Sequence, residues 1–240
     1  MRTRNPMIKV FNDEKDLPVV LVIDQRSSML FSTVDTMKSV VAAEIASLCA
    51  WQVVKAGDRI GAVLFNDREV KWFPPKRSKM HLGQLLGDMV NLNKELFDNI
   101  DSDSPQTSPI TQSLEKAAKS KIKGGLFIVV SDFKGFDEDS KLALRQLQRH
   151  NDVVGVLVSD PLEKQLDKDM PKYLSNGNEQ LQTPKHHSTL AQKYASVIKA
   201  KTERIKTDFG SGGLPFVELT TDGNHIHHFQ QALSVEVVRS

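Results

Sequence analysis

Five apolar runs in this 240-residue chain each end on an aspartate: Pro18-VVLVI-Asp24, Arg59-IGAVLFN-Asp67, Leu126-FIVVS-Asp132, Val153-VGVLVS-Asp160 and Leu214-PFVELTT-Asp222. They are rich in Val, Ile, Leu and Phe and show no polar alternation, the pattern of strands covered by helices on both sheet faces. A covered sheet of this kind is parallel, and the segments between the runs carry helical periodicity. The rhythm therefore predicts a doubly wound α/β domain with a mostly parallel central sheet and helices on both faces, Rossmann-like in layout. In such a sheet all five aspartates fall on one edge, at the carboxyl ends of the strands, where open α/β folds bind their ligands.

The strongest helical pattern runs from about Thr33 to Ala56, with Val34, Met37, Val41, Ile45, Leu48 and Trp51 or Gln52 recurring every three or four residues, and Gly57 placed to stop it. Further helices are expected at about Met80 to Leu92, Ile110 to Lys121, Glu138 to Arg149 and Thr189 to Phe209. The segment from Glu69 to Phe73 reads as a hairpin partner of the second strand, ended by Pro74-Pro75. Asp160 to Pro184 is polar and reads as a long loop with a small hairpin around Tyr173 to Leu181, turning at Asn176-Gly177. His225 to Val238 reads as a last helix or strand. Residues 1–17 are expected to lead into one domain over 18–240.

Composition removes several classes. Lys+Arg 32 against Asp+Glu 30 leaves a net charge of +2, and two Trp and two Tyr offer little for base stacking, so nucleic acid is not an expected partner. The longest apolar stretch falls far short of the ~20 residues that cross a bilayer, so no membrane span is expected. Cys49 has no partner, the usage of a reducing compartment, and a cytoplasmic setting is expected.

An Asp between a strand and a helix is a natural N-cap, and that reading is assigned to Asp67, Asp160 and Asp222. Asp24 and Asp132 differ, because each has hydroxyl-bearing neighbours at a predicted central strand. Two carboxylates about 4 Å apart repel by roughly 4 kcal/mol at an effective dielectric near 20, so such a pair requires a cation or a set of donors.

The segment Asp24-Gln-Arg-Ser27-Ser28-Met29 resembles the DxSxSM start of a von Willebrand factor A-like domain, whose metal-ion-dependent adhesion site holds a divalent cation. That resemblance implies a ligand set of Asp24, Ser28, a hydroxyl from the later loop and Asp132. The hydroxyl is Ser108, with Thr107 as the alternative, in Gln106-Thr-Ser108-Pro-Ile110. Oxygen ligands of this kind suit Mg²⁺. Lys9-VFNDEKDLPVVLVID, Gly57-Asp58-Arg59-Ile60-Gly61, Ser131-Asp132-Phe133 and Asp160-Pro161-Leu162-Glu163 are similar to blocks of an uncharacterised bacterial family with this domain. Many members of that family are encoded beside MoxR-type AAA+ ATPases. Its members usually have more sequence upstream of the position of Ile8.

This chain departs from the pattern at one position. Arg26 stands where the first metal-binding serine belongs, and a guanidinium has five donors and no lone pair for a metal. Turned inward it could pair with Asp24 or Asp132 in place of the ion; turned outward it would leave ligands for a weakly held Mg²⁺. The expectation is no tightly bound cofactor. No GxGxxG, GxxxxGK[ST] or GxSxG is present, and the second carboxylate of a phosphate-accepting aspartate is replaced by Arg26. Lys38 and Lys55 are expected on the outer face of the first helix. The histidines at 186, 187, 225, 227 and 228 read as surface residues, and Lys71 to Lys79 as a solvated basic loop. Taken together these features predict a non-enzymatic interaction module. It would meet a protein partner through Asp24, Arg26, Ser27 and Asp132, and the resemblance implies a MoxR-type ATPase as that partner in the assembly or maturation of a complex. The alternative is a Mg²⁺-dependent phosphoryl-transfer or hydrolytic enzyme using Asp24 and Asp132.

Overall fold

Each apolar run becomes a strand because its two side-chain rows face two separate helix layers. In the computed structural model, which describes residues 16–98, 108–164, 173–175, 180–182, 188–210 and 216–237, the strands are β1 (Pro18–Asp24), β2 (Arg59–Phe65), β3 (Val70–Lys76), β4 (Leu126–Ser131), β5 (Asp152–Ser159) and, after a short hairpin of β6 (Tyr173–Ser175) with β7 (Gln180–Gln182), β8 (Phe216–Thr220). The six-stranded sheet has the order β3-β2-β1-β4-β5-β8, parallel throughout except for β3. This is the doubly wound α/β architecture. The direction of winding reverses between β1 and β4, which makes the carboxyl end of that pair the topological switch point.

Alternate residues of β1 divide the core in two. Val19, Leu21 and Ile23 face α1 (Lys38–Ala56), α2 (Lys79–Asp98) and α7 (His225–Val237), packing with Ile45, Leu85 and Phe229. Val20 and Val22 face α3 (Pro109–Ala118), α4 (Glu138–Gln148) and α6 (Ser188–Gly210), packing with Leu114, Leu144 and Phe209. A single helical turn, α5 (Pro161–Lys164), follows β5 at the carboxyl edge. By length and composition α1 could cross a membrane; in this fold its seam of Val41, Ala42, Ile45, Ala46, Cys49 and Ala50 is buried in the core.

Several expectations need correction. The first helix begins at Lys38, not Thr33, because the preceding backbone is tied elsewhere: Thr33 donates to Asp160, and the amides of Asp35 and Thr36 donate to the Thr221 carbonyl. Val34 and Met37 are consequently exposed, and Trp51, within the helix, also faces solvent. Gly57 does close the helix, in the left-handed conformation with φ 84°. Strand β3 does not stop at Pro74-Pro75 but runs through both to Lys76, across a register shift opposite Ile60 and Ala62. Gly61 permits this: a Cβ there would lie 2.7 Å from the Phe73 carbonyl oxygen. The last segment is helical, and His225 is buried, with Nε2 2.5 Å from Glu44 Oε2. The hairpin around Tyr173 forms, while its Asn176-Gly177 turn, His186, His187 and all but two of residues 1–17 lie outside the described residues.

Helix α4 has a complete capping box. The Asp137 carboxylate accepts from the Ser140 amide at 2.8 Å, and the Ser140 hydroxyl accepts from the Asp137 amide. The Ser140 amide is the main cause holding the Asp137 carboxyl below the usual aspartate value. Asp137→Ala should lower stability by about 1 kcal/mol. Because the folded-state value is depressed, this contribution is present above the unfolded value near 3.9 and fades as pH falls through the folded one. Urea denaturation of both proteins at about pH 7 and about pH 3 should show the difference shrinking in acid.

Candidate functional site

The parallel pairing of β1 with β4 brings Asp24, the last residue of β1, beside Ser131 and Asp132 at the end of β4. Asp24 is fully buried and holds three kinds of donor. Arg26 forks onto it, Nε to Oδ1 at 2.9 Å and Nη2 to Oδ2 at 2.6 Å, while the Arg26 amide also reaches Oδ1 at 3.0 Å. The Ser131 hydroxyl donates to Oδ2 at 2.5 Å. A planar guanidinium matches a carboxylate in this bidentate way, with geometric specificity an ammonium lacks.

The guanidinium is thus turned inward. Its Nη1 donates to the Lys134 carbonyl at 2.8 Å, its Nη2 also lies 3.3 Å from Asp132 Oδ1, and its carbon stands 5.4 Å from the centre of the Phe65 ring. Burial works against its charge, but the Asp24 carboxylate, then Asp132, more than compensate and fix it as a cation. For Asp24 burial is the largest influence and raises its carboxyl above the ordinary value, with Arg26 pulling the other way.

A second cation completes the cluster. Lys38, the first residue of α1, is only 2% exposed, and its Nζ bridges Asp132 Oδ2 at 3.2 Å and Glu163 Oε1 at 3.0 Å. This corrects the expected outward placement; Lys55 alone is exposed. Burial works to raise the Asp132 carboxyl, but Lys38, then Arg26 and the Lys134 amide, outweigh it and hold it below the usual range. Burial would lower the Lys38 ammonium, and Asp132 and Glu163 raise it instead.

The remaining aspartates do not serve as the expected helix caps: Asp67 and Asp160 tie loops together, and Asp222 closes a local turn. Asp67 does not cap its own following segment; it accepts from the Ser27 amide at 2.6 Å, at the start of a 3₁₀ turn over Ser27–Met29. Asp160 stands before α5 and accepts from the Thr33 amide and hydroxyl and from the Thr221 hydroxyl at 2.7 Å. Asp222 accepts from the Asn224 amide at 3.0 Å.

Of the residues named from sequence, Asp24, Arg26 and Asp132 come together in direct contact. Ser28 turns a buried hydroxyl towards Asp132 without a well-formed hydrogen bond. Ser27 is exposed on the rim. Ser108 lies against the Asp132 loop, its Oγ 2.9 Å from where a Cβ on Gly135 would sit, and that glycine adopts φ 76°. Thr107 lies outside the described residues. Sequence reasoning missed Lys38, Glu163 and Ser131 as members of the cluster; the Asp160-Pro161-Leu162-Glu163 block carried the signal for Glu163.

Three carboxylates and a hydroxyl are suitable chemistry for Mg²⁺. Here, however, a guanidinium forks onto one carboxylate and an ammonium bridges the other two, so an added divalent ion would face two fixed positive charges. Among the described residues no group of three or more His, Cys, Asp or Glu side chains is arranged to hold a metal. As arranged, these residues do not fit a divalent cation.

Comparison with known proteins adds a family and distant relatives. The sequence pattern of a family described as "Protein of unknown function DUF58" matches residues 1–204. Uncharacterized proteins Rv1480 of Mycobacterium tuberculosis and Mb1516 of Mycobacterium bovis are each 20% identical over 165 residues, covering 69% of this chain and 50% of the relative. The chain thus spans about half the length of the curated relatives it matches. Among solved structures, the conserved hypothetical protein BatB of Bacteroides thetaiotaomicron is 14% identical with a TM-score of 0.49, covering 93% of this chain and 100% of that one. An aerotolerance-related membrane protein of Bacteroides fragilis is 15% identical with a TM-score of 0.48 and the same coverages. Likeness of that degree carries no activity from one protein to the other.

Proposed function

Because the chain belongs to the DUF58 family of proteins of unknown function, we propose that it is a non-catalytic protein-protein interaction module working at the carboxyl edge of its sheet. The observation that carries this reading is the charge-matched cluster of Asp24, Arg26, Asp132, Lys38 and Glu163. A nucleophilic or general-base aspartate needs a lone pair facing a substrate. Both aspartates instead present their oxygens to fixed cations, and Asp24 is wholly enclosed. The cluster then serves as an internal counterion core. It holds the loops after β1, β4 and β5 at set heights and makes a firm platform for the rim above, where Ser27 and Lys134 are exposed. Arg26 would support that rim from beneath, doing electrostatically what an ion would do in a von Willebrand factor A-like domain. The partner we propose is a MoxR-type AAA+ ATPase, with the module as adaptor in assembling or maturing a protein complex in the cytoplasm.

The test is capture of a purified MoxR-type AAA+ ATPase. Wild type should retain it equally with Mg²⁺ or with chelator, and Ser27→Arg/Lys134→Glu should weaken retention at least about tenfold, the loss of a central interface contact. Failure to retain the ATPase under any condition would end the adaptor reading. Mg²⁺-dependent turnover of a generic phosphate ester, abolished by Asp24→Asn, would establish the enzyme alternative.

A further inference from the structure

The near-neutral total charge conceals a local asymmetry at the end of the molecule opposite the cluster. There the C-terminal ends of α3 and α4 lead through short loops into β4 and β5. These segments carry Lys116, Lys119, Lys121, Lys123, Arg145 and Arg149, all exposed. The two loops form one surface. The Gly124 amide donates to the His150 carbonyl at 2.7 Å, the Gly125 amide to Asn151 Oδ1 at 3.0 Å, and Asn151 Nδ2 to the Ile122 carbonyl at 3.1 Å. Within these two segments only two carboxylates stand against the six cations, Asp152 and Glu115, the latter paired with Lys119 at 2.8 Å; Asp16 at the same end is already engaged by Arg59 and Arg77. Among the described residues the other five cations have no ion-pair partner.

Cations at helix C-termini complement the helix dipole, which accounts for Lys116, Lys119, Arg145 and Arg149. It does not account for Lys121 and Lys123 in the loop. Lys121 holds φ 60°, a conformation that suits glycine or asparagine and that a lysine adopts at a cost. Among the described residues this surface also lacks an aromatic anchor of the kind that dominates protein interfaces or stacks on bases, and its large exposed apolar side chain is Leu142, 57% exposed and on the same face of α4 as Arg145 and Arg149. Four of the six cations are lysines, flexible point charges that need no bidentate partner.

We infer that this basic pole is a docking surface for an anionic lipid bilayer, its lysines and arginines meeting headgroup phosphates and carboxylates while Leu142 reaches the interface. Delocalised negative charge of that kind requires neither a pocket nor an aromatic anchor. It would also leave the carboxyl edge facing away from the membrane, free for a protein partner.

The experiment is co-sedimentation of the full 240-residue chain with vesicles of phosphatidylcholine alone and of phosphatidylcholine mixed with phosphatidylserine. Binding is expected only to the anionic vesicles and should be released as added salt shortens the screening length. Lys119→Glu/Lys121→Glu/Lys123→Glu should weaken it on the order of a hundredfold, with an unchanged melting temperature as the control for folding. Arg145→Gln/Arg149→Gln, on a different element, should weaken it in the same direction, and Arg68→Gln/Lys71→Gln, at the β2–β3 turn on the opposite edge of the sheet, should leave it unaltered. Equal binding to both vesicle types, or binding indifferent to the first two variants, would overturn the inference. Tighter capture by a duplex oligonucleotide than by vesicles at matched phosphate would overturn it in favour of nucleic acid.

Discussion

Replacing Arg26 by methionine should destabilise the fold by about 3 to 5 kcal/mol at neutral pH, the cost of leaving one member of a buried ion pair uncompensated. The urea midpoint would fall while the denaturant slope stayed constant. Asp24 would keep the Ser131 hydroxyl but lose the Arg26 fork and the charge that offsets its enclosure. Without that cation its folded-state value would rise further above the unfolded one, so the native state would take up a proton. The defect should therefore be largest well above pH 4 and diminish as pH falls to the unfolded aspartate value near 3.9. The double variant Asp24→Leu/Arg26→Met should recover most of the loss, because a buried pair exchanged for apolar residues of similar size is often neutral or stabilising. A single variant within about 1 kcal/mol of wild type would mean that the pair is solvated and only weakly coupled.

Phe133→Ala should cost a further 3 to 5 kcal/mol, by the scale of deleted core aromatics. Phe133 is fully buried, and its ring centre lies 5.2 Å from that of Phe209 and 6.0 Å from those of Phe136 and Phe216. Its backbone has φ 51°, an uncommon conformation for a bulky residue, worth about 1 to 2 kcal/mol of strain. The aromatic cluster outweighs that strain and so fixes the turn that aims Asp132 at Lys38 and Arg26. Phe133→Gly should relieve the strain alone and recover no more than about 1 to 2 kcal/mol of the alanine loss. Differential scanning calorimetry of the three proteins would rank them wild type, glycine, alanine. A glycine variant more stable than wild type would show that the ring contributes nothing.

The sheet and the convergence of its acidic tips were legible because an unbroken apolar run can satisfy two covered faces only in a parallel sheet. Asp24 and Asp132 become neighbours for that reason alone, through β1 and β4. Lys38 was legible but overlooked: three, four and seven positions before Val41, Ala42 and Ile45, it shares the buried face of α1. The start of α1 was not legible, because it is set by ties from Thr33, Asp35 and Thr36 to Asp160 and Thr221, residues more than a hundred positions away. Helical periodicity says nothing of such ties, and it ran through them to Thr33. The inward turn of Arg26 was one of two open alternatives, decided by the Lys134 carbonyl waiting in a distant loop. The continuation of β3 past its prolines was hidden for a different reason. A proline ends a strand only where its missing amide is needed, and here the register shift opposite Ile60 and Ala62 removes that need.

Those prolines also decide how copies of this protein can meet. A growing sheet adds its next member by offering a ladder of alternating hydrogens and oxygens along its outermost strand. Beside β2 the outermost strand is β3, where one of the consecutive prolines 74 and 75 takes a donor from the free margin, so an incoming carbonyl there would meet a proline ring instead of an N–H. Fibre-like stacking through that margin is opposed by the prolines together with the lysines at 71 and 76 of the same strand.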